Sequence, residues 1–91
     1  MIELEAKVQN RAGIHCRPST LIVERVREYE GKLCVRHQDD ESDLRSVMGL
    51  MALGLEQGEA VAVRVSGPDE ESTCRQLVAL FETRFDFPPR A

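Results

Sequence analysis

Aromatic residues are scarce in this chain, which has no Trp, one Tyr and three Phe among 91 residues. A core must therefore rest on Leu, Val, Ile, Met and Ala, and a surface that stacks nucleic-acid bases on aromatic rings is excluded. Positive charge is in deficit too, with 12 Lys and Arg against 16 Asp and Glu and a formal net charge of −4. Such a balance gives no general attraction to phosphate backbones or anionic lipid, so any anion the protein handles must be held locally. No apolar run approaches the roughly 18 residues of a membrane span, and MIELEAKVQN lacks the basic-then-apolar order of a signal peptide. A cytoplasmic protein with no membrane and no nucleic-acid partner is the expectation. The three cysteines, Cys16, Cys34 and Cys74, are odd in number and widely spaced, with no C-x-x-C pair. That fits reduced thiols, and neither a disulfide frame nor a zinc site.

What is present is an ordinary globular mixture, 42% hydrophobic and 31% charged, long enough for one small domain spanning residues 1–91. No linker, repeat or low-complexity segment divides it. Ile2, Leu4, Ala6 and Val8 alternate with charged residues and predict a strand with one buried face. From about Arg17 to Tyr29, Ile22, Val23, Val26 and Tyr29 recur at helical spacing, with Gly31 as the stop. KLCVRH predicts a second strand and the polar QDDESD a turn into a brief third strand around residues 40 to 43. Val47, Met48, Leu50, Met51 and Leu53 predict a short helix opened by Ser46 as N-cap and closed by Gly54, weakened by about 1 kcal/mol through Gly49. Val61, Val63 and Val65 alternate in a fourth strand. Asp69 is the expected N-cap of a last helix whose stripe is Cys74, Leu77, Val78, Phe81 and Phe85, before DFPPRA ends it. The order β-α-β-β-α-β-α predicts an α+β fold, an open-faced two-layer sandwich with four antiparallel strands covered on one face by three helices.

The stretch AGIHCRPST carries the chemistry. A helix start leaves about four backbone N–H groups unpaired and bears a partial positive charge, which favours anions. Pro18 suits the first turn, where its missing N–H has no helical partner, and Arg17 offers a permanent cation with donors matched to phosphate oxygens. Gly13 lets the chain turn sharply just upstream. His15 beside that socket has a lone pair free to attack phosphorus when neutral. A helix cap beside a surface arginine is the plainer reading, and the combination of Gly13, His15, Arg17 and Pro18 favours a transient phosphohistidine over it.

NRAGIHCRPST and, further on, RSVMGLMALG resemble the active-site and regulatory-serine segments of the HPr family, the histidine-containing phosphocarriers of the bacterial phosphotransferase system. The resemblance runs over essentially residues 2 to 85. It implies that His15 accepts a phosphoryl group on Nδ1 from enzyme I and passes it to enzyme IIA domains in sugar uptake. It further implies that Arg17 neutralises the group, with Cys16 and Pro18 at the helix start beside it. Ser46 matches the serine phosphorylated by HPr kinase/phosphorylase in many bacteria, and Thr20, Arg27, Arg45, Val47, Met48 and Met51 fall on the implied partner face. A transcription regulator is a further implied partner. The expected protein is a monomer that needs no cofactor or metal and acts as an intermediate in group transfer more than as a turnover enzyme. The alternative is a regulatory relative that controls kinases or transcription without sugar transport.

Some positions depart from the family pattern. Cys16 and Ser19 stand where alanines are usual, Ile14 replaces leucine, and Glu24 lies where relatives often carry positive charge. Cys16 is either a small filler or a thiol whose oxidation blocks His15. A thiol enzyme built on Cys16 and His15 fails for want of an orienting Asp or Asn. His37 lacks an Arg or Pro companion and is expected on the strand surface. Asp39, Asp40, Glu41 and Asp43 lack the spacing of a calcium loop and are expected to be a solvated turn.

Overall fold

The structure, a computed structural model, describes residues 1–11, 13–14 and 16–84. Phe85 and the DFPPRA tail, expected to end the last helix, lie outside the described residues. The elements run β1 (Ile2–Lys7), α1 (Cys16–Arg25), β2 (Lys32–His37), β3 (Asp40–Ser42), α2 (Val47–Met51), β4 (Ala60–Ser66) and α3 (Glu70–Phe81). The strands form one antiparallel sheet in the order β1-β4-β2-β3. The open four-stranded sheet covered by helices is the architecture that the alternation and helical spacing predict.

Register explains the single core. Ala6 lies opposite Val61 and Leu4 opposite Val63 across β1 and β4, while Leu33 meets Val65 and Val35 meets Val63 across β2 and β4. These positions share one sheet face, because side chains alternate along a strand. Ala6, Leu33, Val35, Val61, Val63 and Val65 are buried there together with Ile22, Val23 and Val26 from the first helical segment and Cys74, Leu77 and Phe81 from α3. On the other face Glu3, Glu5, Lys7, Lys32, Arg36 and Arg64 are exposed. The Glu3–Arg64 pair there, at 2.7 Å, adds little stability because water screens it.

The first helix is shorter than its apolar spacing predicts. It ends at Arg25, and the chain continues through tight turns, with Val26 N–H donating to Val23 O, Arg27 N–H to Glu24 O and Tyr29 N–H to Val26 O. The reason comes from a distant residue. Arg45 spreads its guanidinium over four carbonyls, those of Val26, Arg27, Tyr29 and Gly31, at 3.0, 3.2, 2.9 and 3.1 Å. A planar fork of five donors can satisfy carbonyls that a helix end leaves open. Gly31 therefore does not stop the helix. It permits close approach to β4, since a Cβ there would stand 2.4 Å from the Ser66 carbonyl oxygen.

Two further expectations need correction. Asp69 stands at the N-cap position of α3, but its φ is 47° and its side chain makes no capping bond. Glu70 does the nearby work, its carboxylate accepting from Gly67 N–H at 3.3 Å. His37 is not a plain surface residue: it is partly buried, and its Nε2 lies 2.6 Å from Glu59 Oε2. By contrast Ser46 does cap α2, its Oγ accepting from Gly49 N–H, and Gly54 closes that turn by donating to Met51 O. Leu44 is a core residue hidden in a polar turn: fully buried with φ of 60°, its N–H donating to Ser42 Oγ at 3.1 Å. Burial of such a leucine stabilises by about 2 kcal/mol, enough to offset a left-handed backbone that costs about 1–2 kcal/mol.

Replacing Arg45 by Met is expected to lower the unfolding free energy by about 2 kcal/mol, with Arg45→Lys recovering less than about half, because one ammonium cannot span four carbonyls. Urea unfolding of both variants checks this. Glu59 supplies a pH signature. Its carboxyl lies below the ordinary 4.5, held there chiefly by the Glu56 N–H against an upward push from desolvation, with His37 adding two smaller downward contributions. A depressed folded-state value stabilises above the ordinary carboxylate range and is lost as pH falls through it. The urea midpoint should therefore drop on acidification to about pH 3.5, and drop less in Glu59→Gln, by that same linkage.

Candidate functional site

The loop before α1 is built by turn chemistry. Asn10 is buried, and its Nδ2 donates to Gly13 O at 2.6 Å while Gly13 N–H donates back to Asn10 O at 2.9 Å. Gly13 takes φ of 75°, and a Cβ there would fall 2.3 Å from the Leu55 carbonyl oxygen. Only glycine meets both demands. Ile14 is then clamped: buried, it donates its N–H to Leu55 O at 2.9 Å and accepts Ser19 Oγ–H at 3.4 Å. That bond accounts for a buried serine at position 19. His15, the next residue in the chain, lies outside the described residues.

Helix α1 opens at Cys16. Cys16 and Arg17 are exposed, Pro18 is fully buried in the first turn, and Thr20 donates its hydroxyl to Cys16 O at 2.9 Å. The first turn of α1 thus presents helix N–H groups and a guanidinium-bearing side chain soon after the tethered Gly13 and Ile14, an arrangement suited to a small dianion. Burial raises the thiols of Cys74 and Cys34, the latter also through Glu41, so both stay protonated. Among the described residues no group of His, Cys, Asp and Glu is arranged to hold a metal.

Helix α1 packs against α2, and both leave apolar side chains in the open. Leu21 is 45% exposed, Met51 38% and Met48 80%, while Val47 is half-buried. Ser46 is exposed at the head of α2. The charged residues of the same region are already engaged: Arg27 pairs with Glu24 at 2.6 Å, and Arg45 is turned onto the carbonyls described above. Sequence reasoning missed Asn10, Leu55 and Leu21. Asn-x-x-Gly in QNRAG is a readable turn signal for the first. Nothing local marks the other two, whose roles come from packing.

Comparison with known proteins follows the same line. A family model described as "PTS HPr component phosphorylation site" matches residues 2–83. The phosphocarrier protein HPr of Xylella fastidiosa is 33% identical over 86 residues, 94% of this chain and 97% of that protein. The phosphocarrier protein NPr of Escherichia coli is 27% identical over 93% of this chain and 96% of that protein. The crystal structure of an HPr from Thermoanaerobacter tengcongensis superposes with a TM-score of 0.81 at 32% identity, covering 89% of this chain and 91% of that one. No helix among the described residues is long and apolar enough to cross a membrane. On its sequence, its sheet topology and these matches, the chain belongs to the HPr family of phosphocarrier components of the phosphotransferase system.

Proposed function

We propose that the protein carries a phosphoryl group on His15 within the cytoplasm, taken from phosphorylated enzyme I and passed to enzyme IIA domains in sugar uptake. In the first step a lone pair of the His15 imidazole attacks the phosphorus of a phosphohistidine on the donor. The donor N–P bond breaks as the new one forms, and the donor ring recovers its electron pair. No water or cofactor enters the balance. The observation that carries this reading is the tethered loop of Asn10, Gly13 and Ile14 ending where α1 begins, with Arg17 exposed in its first turn. Fixing an acceptor in place converts much of the entropic cost of a bimolecular step into cost met during folding. Arg17 and the helix amides favour the added charge, each to a modest extent, which leaves the group free to move on.

Leu21, Met48 and Met51 supply a docking face for enzyme I and IIA, with Thr20 and Val47 at its margin. Methionines adapt their shape, which suits a surface that meets several partners in turn. Ser46 regulates that face. Phosphorylation by an HPr kinase/phosphorylase adds roughly −1.5 to −2 charge at the head of α2, within two residues of Met48, and opposes partners that approach an apolar patch beside Arg17. A transcription regulator that reads phosphoserine is a compatible outlet.

Incubation with phosphoenolpyruvate and enzyme I, followed by intact mass and an acid-lability test, decides the carrier reading. One acid-labile phosphoryl group, absent in His15→Ala, is the expected outcome; an acid-stable adduct, or one that survives in His15→Ala, overturns it. Ser46→Asp should raise KM for transfer from enzyme I by about tenfold, equivalent to roughly 1.4 kcal/mol of lost docking, with little change in kcat. Steady-state transfer kinetics measure both.

A further inference from the structure

The His37–Glu59 contact is a partly buried hydrogen bond that the sequence did not announce, and it sits at one end of a short hydrogen-bonded route to the acceptor loop. His37 ends β2, opposite Asp40 of β3. Its Nε2–H points to Glu59 Oε2 at 2.6 Å, and the other carboxylate oxygen of Glu59 accepts Glu56 N–H at 2.8 Å. Glu59 N–H in turn donates to Glu56 O at 3.1 Å. One side chain thus closes the 56–59 turn from within and ties it to a strand. The same turn is stitched to the end of β1, with Val8 N–H donating to Glu59 O at 2.9 Å and Gly58 N–H to Val8 O at 2.8 Å.

The upstream edge of this turn is what holds the acceptor loop. Leu55 O receives Ile14 N–H at 2.9 Å, and Gly13 lies so near that a Cβ would stand 2.3 Å from that oxygen and 3.2 Å from Glu56 Cα. Packed backbones at such spacing transmit displacement, because neither can move without the other. The Glu59–Glu56 bond is charge-assisted, about twice as strong as a neutral one. His37 fixes which way the carboxylate faces.

We infer that Glu59, oriented by His37, is a positioning residue for phosphoryl transfer: it sets the 55–59 turn, and the turn sets the backbone of Gly13 and Ile14 directly before His15. This rests on the carrier reading for the importance of position 15, though not for the existence of the strut. Neither residue belongs to α1 or α2, so the effect belongs in the rate of transfer and not in docking. The partner face on α1 and α2 has no part in it.

The test compares Glu59→Ala, Glu59→Gln and His37→Ala with the wild type in two measurements: amide hydrogen exchange at Ile14, with Val63 as the global-stability control, and transfer kinetics from phosphorylated enzyme I. Glu59→Ala should speed exchange at Ile14 relative to Val63 and lower kcat about tenfold with KM unchanged, the size expected for a small misplacement of an acceptor. Glu59→Gln keeps an acceptor for Glu56 N–H and should restore most of both readouts, while His37→Ala should fall between. Unchanged Ile14 exchange in Glu59→Ala, or faster exchange with wild-type kcat, overturns the inference, as does failure of Glu59→Gln to rescue. A wild-type protein that takes up no phosphoryl group refutes the carrier reading and the catalytic half of this one; Ile14 exchange still decides the strut by itself.

Discussion

The close approach of Gly13 to the Leu55 carbonyl is the constraint from which the functional end of the molecule follows. A Cβ at position 13 would stand 2.3 Å from that oxygen, so the loop before α1 and the turn before β4 are locked at backbone distance. Ile14 gains its partner from the same carbonyl, and Asn10 folds the loop back on Gly13 from the other side. Asn10, Gly13 and Ile14, tied in this way, have few ways to rearrange, which suits the geometry that the proposed transfer asks of the position after Ile14. The tie here comes from hydrogen bonds in a backbone-to-backbone contact, with Val8 and Ile14 as buried apolar side chains among the described residues of the loop.

The helical layer shows a different economy. Helix α1 ends at Arg25, and the carbonyls beyond it are satisfied by Arg45, a residue next to Ser46 in the chain. Leu44, on the other side of Arg45, is driven into the core at φ of 60°. Three successive residues thus have three separate tasks: a plug, a clamp and a helix cap. The head of α2 is fixed by the first two, which leaves Ser46 and the methionines presented on a firm base. An apolar face that exposes Met48 and Met51 costs solvation in the free protein, a cost that the proposed docking would offset.

Reading the sequence ahead of the structure succeeded wherever periodicity was strong. Val61, Val63 and Val65 alternate cleanly and form β4, and Cys74, Leu77 and Phe81 repeat at helical spacing and bury together. In the segment proposed to carry the phosphoryl group, Gly13 takes the left-handed turn and Pro18 the buried first-turn position that their residue types suggest. Reading failed where one residue depends on another far along the chain. Tyr29 kept helical spacing with Val26, yet the carbonyls there go to Arg45; Asp69 had the composition of a cap, yet its left-handed backbone turns the side chain away. His37 looked solitary because its partner, Glu59, lies 22 residues on.

By itself, then, the sequence determined the element order, the buried sheet face and the pairing of a histidine with a helix start. These are local properties, set by alternation, turn residues and the unpaired amides of a helix terminus, and they need no knowledge of which strands neighbour one another. Only the tertiary structure decided that β4 lies between β1 and β2, and hence that the turn leading into β4 reaches both His37 and Gly13. Long-range hydrogen bonds of that kind leave no periodic trace, because each joins single residues whose separation along the chain is arbitrary.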